Sequence, residues 1–300
     1  MTNNEFITIN TIEEYTNLLG CPPMCHPLFS ICRLADVKDY TPIDRPVQLN
    51  LYSVTIKDGS TCNAKYGWRD YDFRNGSLNF YAPGQIHRWS DAAKNSGRWG
   101  WMLAFHPDFI RKHQLGTRID NYHFFSYEVN EALHVSDTEK AVIENIMDNI
   151  ENEYRCNIDS HTQDIIVSQL DVLLNYSERF YTRQFQTRHC IESDIPARVS
   201  SIIRRRIEER SGGSVTVGSI AGEFNMSSHY LSDLLRNLTG MNTQQHIHAC
   251  MMERAKTLLV STGLSVSEIA YELGFEYPQH FSRLFKNKTG LTPVEYRKAN

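Results

Sequence analysis

The chain has 300 residues, 41% hydrophobic and 22% charged, a balance that excludes a disordered or fibrous protein and supplies core for about two domains. No run approaches the ~18 apolar residues needed to span a bilayer, and the opening Met-Thr-Asn-Asn-Glu has neither the basic nor the apolar region of a signal peptide, so a cytoplasmic protein with no membrane partner is expected. The net charge of -4 conceals an asymmetry: residues 197–300 carry 13 Lys+Arg against 9 Asp+Glu, and residues 1–196 carry 18 against 26. Only the C-terminal third is suited to a polyanion.

In chain order, Cys21, Cys25, His26 and Cys32 come first. Their spacing fits no common zinc pattern and Pro22-Pro23 stiffens it, so they read as buried or incidental thiols. All 7 cysteines are expected to be reduced, because the number is odd and a chain of this length needs no disulfide staples. From about Val47 to Phe105 short strands are expected, at Val47–Ile56, Ser77–Tyr81 and Trp99–Phe105, separated by the turn signals Asp58-Gly59, Asn75-Gly76 and Pro83-Gly84. That pattern predicts a small β-barrel or sandwich.

From Ser136 the period changes. Ser136-Asp-Thr-Glu139 is a capping box, followed by Val142, Ile143, Ile146, Met147, Ile150 and Tyr154 at helical spacing. A second helix is expected from about His161 to Phe185, and the polar stretch Gln186 to Pro196 reads as a linker.

The C-terminal third holds an internal repeat. Leu231-Ser-Asp-Leu-Leu-Arg-Asn-Leu-Thr-Gly240 matches Phe281-Ser-Arg-Leu-Phe-Lys-Asn-Lys-Thr-Gly290, and Ile220-Ala221 matches Ile269-Ala270. Each copy is a short helix carrying Ile-Ala, a tight turn, and an amphipathic helix ended by glycine, the helix-turn-helix plan. Asn225 and Gly274 fall in the turns, where a left-handed residue is often required. Asn242-Thr-Gln-Gln245 and Thr292-Pro-Val-Glu295 are N-terminal caps. The helix from Asn242 to about Val260 would be about 27 Å long, a rod able to hold two reading helices in major grooves about 34 Å apart.

Glu268-Ile-Ala-Tyr-Glu-Leu-Gly-Phe275, His280-Phe-Ser-Arg-Leu-Phe-Lys286, Gly290-Leu-Thr-Pro-Val-Glu-Tyr-Arg297 and Arg254-Ala-Lys-Thr-Leu-Leu259 resemble the signature of the AraC/XylS family of transcription regulators. The resemblance covers about a hundred residues. It implies a multidomain α+β chain: an N-terminal cupin-like β-barrel with two long helices, then an all-α domain of two helix-turn-helix motifs joined by a linker helix. The corresponding expected divisions are a sensing barrel at 1–135, a helical dimerisation or coupling segment at 136–187, a linker at 188–197 and a DNA-binding domain at 198–300. Carried over residue by residue, the face toward double-stranded DNA is Ser228, His229, Ser232, Asp233 and Arg236 in the first copy and Pro278, Gln279, His280, Arg283 and Lys286 in the second. Arg suits guanine O6 and N7, Gln suits adenine, and further Lys and Arg neutralise phosphate. Asp233 departs from the family, which commonly has Arg there, and so weakens reading by this copy, accepts from cytosine N4, or turns away toward a protein partner such as Arg236.

Gly76 to His87, ending Pro83-Gly-Gln-Ile-His87, resembles the second half of a cupin motif. A metal cupin also needs a His-x-His and a carboxylate earlier, and Tyr66-Gly-Trp-Arg-Asp-Tyr-Asp-Phe73 offers no histidine, so no metal, cofactor or catalytic residue is expected. Tyr52, Trp68, Tyr81, His87, Trp89, Trp99 and Trp101 are candidates to line a small-molecule effector pocket, with plain aromatic core as the alternative. The expected function is a transcription regulator, a homodimer through its N-terminal part, that engages RNA polymerase if it activates. The competing classes are a cupin-type metal enzyme with a helical appendage and a non-catalytic scaffold.

Overall fold

The computed structural model describes residues 6–37, 45–57, 65–66, 69–70, 76–87, 99–127, 131–156, 159–191, 194–209 and 215–299, with the backbone alone at 65, 66, 69, 70, 87 and 187–191. The chain is mixed α+β and divides into two compact units, Met1–Gln184 and Phe185–Asn300. None of the described helices is long and apolar enough to cross a membrane.

In the first unit the described elements run β1 (Ile7–Ile9), α1 (Ile12–Leu19), β2 (Phe29–Arg33), β3 (Val47–Leu49), β4 (Tyr52–Lys57), β5 (Lys65–Tyr66), β6 (Arg69–Asp70), β7 (Ser77–Tyr81), β8 (Gln85–His87), β9 (Gly100–Phe105), α2 (Pro107–Ile110), α3 (Gln114–Arg118), β10 (Leu133–His134), α4 (Asp137–Arg155) and α5 (Thr162–Ile191). An antiparallel sheet runs β10-β7-β4-β9-β2, a second sheet runs β1-β3-β8 with β1 parallel to β3, and β5 pairs with β6.

The run Val47–Ile56 is two strands in different sheets. Its apolar residues change parity, from Val47, Leu49 and Leu51 to Val54 and Ile56, and a strand with period 2 cannot keep both sets on one face. The chain changes sheet at Asn50, whose N–H donates to the Ile9 carbonyl at 2.8 Å and whose side-chain amide donates to Asn10 Oδ1 at 2.7 Å. Ile9, Ile12, Tyr15, Leu19, Val47, Leu49, Leu51 and Ala104 form one buried cluster that packs α1 on the sheets. Gly100 has φ +130°, and a Cβ there would collide with the Ile56 carbonyl oxygen across the ladder.

The Ser136 capping box is present, and α4 lies against β2 through Glu151. This buried carboxylate accepts from Arg33 Nε at 2.8 Å and Trp101 Nε1 at 3.1 Å, and pairs with Arg155 Nη2 at 2.7 Å. Three donors compensate its desolvation.

The stretch expected as a linker, 188–197, is largely helical. Residues 186–191 contain no Gly or Pro, so α5 continues to Ile191, and α6 (Ile195–Glu208) starts with Pro196 in its first turn, where the missing N–H costs nothing. Residues from Phe185 onward group with the second unit. That unit continues with α7 (Val217–Glu223), α8 (Ser228–Thr239), α9 (Thr243–Ser261), α10 (Val266–Glu272), α11 (Pro278–Thr289) and α12 (Pro293–Ala299).

Candidate nucleic-acid interface

The two sequence repeats fold as two copies of one device. Each first helix has a capping box, Thr216 with Ser219 in α7 and Ser265 with Glu268 in α10. Ile220, Ala221, Ile269 and Ala270 are buried, the alanines being small enough for two helices to cross closely. The turns reverse through left-handed residues, Asn225 at φ +51° and Gly274 at φ +84°. Matching hydrogen bonds close them: Met226 N–H to the Ala221 carbonyl at 3.1 Å, and Phe275 N–H to the Ala270 carbonyl at 3.0 Å.

The second helices end alike. Thr239 donates to the Leu235 carbonyl at 2.9 Å and Thr289 to the Phe285 carbonyl at 2.8 Å, and Gly240 and Gly290 cap in the left-handed region. Next come the Asn242–Gln245 capping box opening α9 and the reciprocal Thr292–Glu295 bonds opening α12. Arg297, part of the family signature, is structural: its guanidinium donates to the Leu259 and Leu264 carbonyls at 2.9 and 2.5 Å, fastening α12 to the end of α9.

The outward faces differ. On α11, Gln279, His280, Arg283 and Lys286 are exposed and Pro278, at the first turn, is half-buried. Among the described residues Gln279 and Arg283 have no hydrogen-bond or ion-pair partner, so their donors are available to a ligand. On α8 only His229 and Arg236 of the five expected residues are exposed. Ser228 is half-buried beside Gly218, and Ser232 donates from Oγ to Thr243 Oγ1 at 3.1 Å, bracing α8 on α9. Asp233 has a side chain 15% exposed and faces Arg236 at 3.3 Å, the turned-away one of its expected arrangements. A half-desolvated carboxylate takes the nearest cation on its own helix.

Sequence reasoning missed the aromatic support behind α8. Phe185, from the last turns of α5, is buried with its ring 5.0 Å from that of buried Tyr230, edge to face. Nothing in the local pattern distinguishes Phe185 from the apolar residues that precede it. On the opposite side of the bundle, Glu223 pairs with Arg205 at 3.2 Å and Arg206 at 2.7 Å, removing those arginines from the free cations.

Among the described residues, the candidate pocket side chains that lie on strands are divided between two sheet faces. Strand register places Tyr52 opposite Phe105 and Trp101 opposite Ile56 on one face of the five-stranded sheet, and Tyr81 opposite Ser53 on the other. Tyr52 stacks on Phe105 at 5.1 Å, Trp99 meets Trp101 edge to face at 5.6 Å, and Lys140 Nζ sits 3.6 Å from the Trp99 ring centre. Burial pushes the Tyr81 hydroxyl up to about 12 and raises that of Tyr52. Trp68, Trp89 and the His87 side chain lie outside the described residues. Of the thiol candidates, Cys25 is exposed and Cys21 and Cys32 are in contact.

Residues 220–299 match the family model described as a helix-turn-helix domain. The C-terminal unit therefore contains a helix-turn-helix domain. The chain is 36% identical over 96 residues to the HTH-type transcriptional regulator YijO of Escherichia coli, and 33% identical over 96 residues to the Msm operon regulatory protein of Streptococcus mutans. In both cases the match takes in 32% of this chain and 34% of the relative, so the chain spans about a third of the length of the curated relatives it matches. The C-terminal domain of AraT, a response regulator from Geobacillus stearothermophilus, is 31% identical over 34% of this chain and 85% of that one, with a TM-score of 0.31. The matched helix-turn-helix domain takes in α8 to α12 and both left-handed turns.

Proposed function

We propose that the chain is a sequence-specific DNA-binding transcription regulator whose two helix-turn-helix motifs enter successive major grooves. The observation that carries this reading is the exposed cationic face of α11, where Gln279 and Arg283 have no partner among the described residues, set in a domain whose curated relatives are transcriptional regulators. Arg283 and Gln279 read base edges and Lys286 holds phosphate. The relatives support this reading over a cupin-type metal enzyme.

Residues 1–135 act as a cupin-like sensing domain and 136–187 as a dimerising or coupling segment, with the DNA-binding domain from about 198 to 300. Support for a homodimer comes from Ile165 and Val172, exposed seven residues apart on one side of α5. A small-molecule effector would act by binding one arrangement of the dimer better than another, and RNA polymerase is a partner if the regulator activates.

The test is a salt titration of full-length protein on duplex DNA. Affinity should fall with a log–log slope of about -0.9 per phosphate contact. A slope near zero overturns the proposal.

A further inference from the structure

One feature of the first unit has no part in DNA binding. Cys21 and Cys32 lie with Sγ atoms 3.2 Å apart, although eleven positions separate them in sequence. Both backbones are fixed. Cys21 follows the left-handed cap Gly20 of α1 and donates its N–H to the Thr16 carbonyl at 2.9 Å, and Cys32 is paired with Met102 inside the five-stranded sheet. Cys32 is buried and Cys21 only half-buried, so an oxidant reaches the pair through Cys21. Cys25 is exposed and held apart, its N–H donating to the Tyr154 hydroxyl at 2.7 Å.

We propose that Cys21 and Cys32 are a thiol–disulfide site that a low-molecular-weight disulfide oxidises. The Cys21 sulfur, as thiolate, attacks one sulfur of the small disulfide; that S–S bond breaks and one small thiol leaves with a proton. The Cys32 sulfur then gives up its proton and attacks Cys21 Sγ, forming the protein disulfide and expelling the second small thiol. Two protein thiols are oxidised and one small disulfide is reduced.

The environment favours this order. The hydrogen bond from Cys32 lowers the Cys21 thiol, while that same bond, with burial, raises Cys32. Once Cys21 is in a mixed disulfide its negative charge is gone, and with it the main obstacle to ionising Cys32. Contact between the two sulfurs replaces a bimolecular encounter. The resulting bond ties the end of α1 to β2.

The test equilibrates the full chain with oxidised and reduced glutathione, blocks remaining thiols, cleaves with chymotrypsin after Phe29, and maps linked peptides without reduction. In wild type and in Cys25→Ser the peptide holding Cys32 should be recovered joined to the one holding Cys21, at equal yield and lighter by two hydrogens. Cys21→Ser should abolish the link and leave Cys32 reduced, since the half-buried entry thiol is gone. A link lost in Cys25→Ser, a lasting glutathione adduct on Cys21 without a link to Cys32, or thiols that all stay reduced would overturn the site.

Discussion

The two helix-turn-helix copies share a backbone plan and diverge on the face that would meet a polyanion. Position for position, Asp233 of α8 corresponds to Arg283 of α11, Tyr230 to His280, and Thr243 of α9 to Pro293 of α12. In the first copy the acid is folded back on Arg236, the tyrosine is sealed under Phe185, and the threonine holds Ser232. In the second copy the same positions leave a cation and an imidazole exposed, and Pro293, in place of Thr243, has no hydroxyl to offer. One copy spends its polar and aromatic residues on holding α8 in place, and the other leaves them for a ligand. A repeat preserves whatever fixes the backbone and varies what faces outward.

The largest effect that can test this contrast is on stability. Tyr230→Ala should cost about 3–5 kcal/mol, the range for deleting a buried aromatic ring, while His280→Ala at the matching position should stay within about 0.5 kcal/mol. Urea midpoints of the full chain by circular dichroism check this, and equal losses would erase the distinction between the copies.

A smaller effect is expected on DNA affinity. Arg283→Ala should weaken binding by about 1–3 kcal/mol and relax discrimination at one base pair. Arg236→Ala should do less, because Asp233 already offsets its charge. Binding titrations against a site and its single-base variants measure both, and a larger loss from Arg236→Ala would reverse the assignment of the principal reader.

The smallest effect is on pH dependence. His246 of α9 is buried against Thr239, with Nε2 2.8 Å from the hydroxyl, and the second copy has Tyr296 at the position matching His246. Burial holds the imidazole below its usual value of about 6.5. Between that lowered value and about 6.5 the unfolded chain binds more protons than the folded one, so stability falls as pH drops through this window. His246→Tyr should shrink the fall in urea midpoint between about pH 7.5 and 5.5; an unchanged fall would place its source elsewhere, such as His248, which burial also lowers.

The repeat was legible because its signals are local. Ile-Ala on a short helix, a left-handed turn residue, a terminal glycine and a capping box each act within a few residues, and all four recur in both copies at nearly constant offset. The outward face of α8 was legible only in part. Helical periodicity places Ser232 and Asp233 on the polar side, but the hydroxyl of Thr243, eleven residues onward, takes Ser232, and the cation of Arg236 takes Asp233. Among the pocket aromatics, strand register puts Tyr52 and Trp101 on one face of the five-stranded sheet and Tyr81 on the other, a division that composition does not carry.

By itself the sequence determined the double helix-turn-helix, its caps and turns, the strands expected at Ser77–Tyr81 and Trp99–Phe105, and the acidic first two thirds and basic last third, because composition, hydrogen bonds within a few residues and the period of apolar side chains decide such features. Only the tertiary structure decided that Val47–Ile56 divides between two sheets, that α5 runs on to Ile191, that Phe185 backs Tyr230, that three donors converge on Glu151, and that Cys21 meets Cys32. Each of these joins residues distant along the chain or depends on which neighbour fills a face, and no local propensity carries that information.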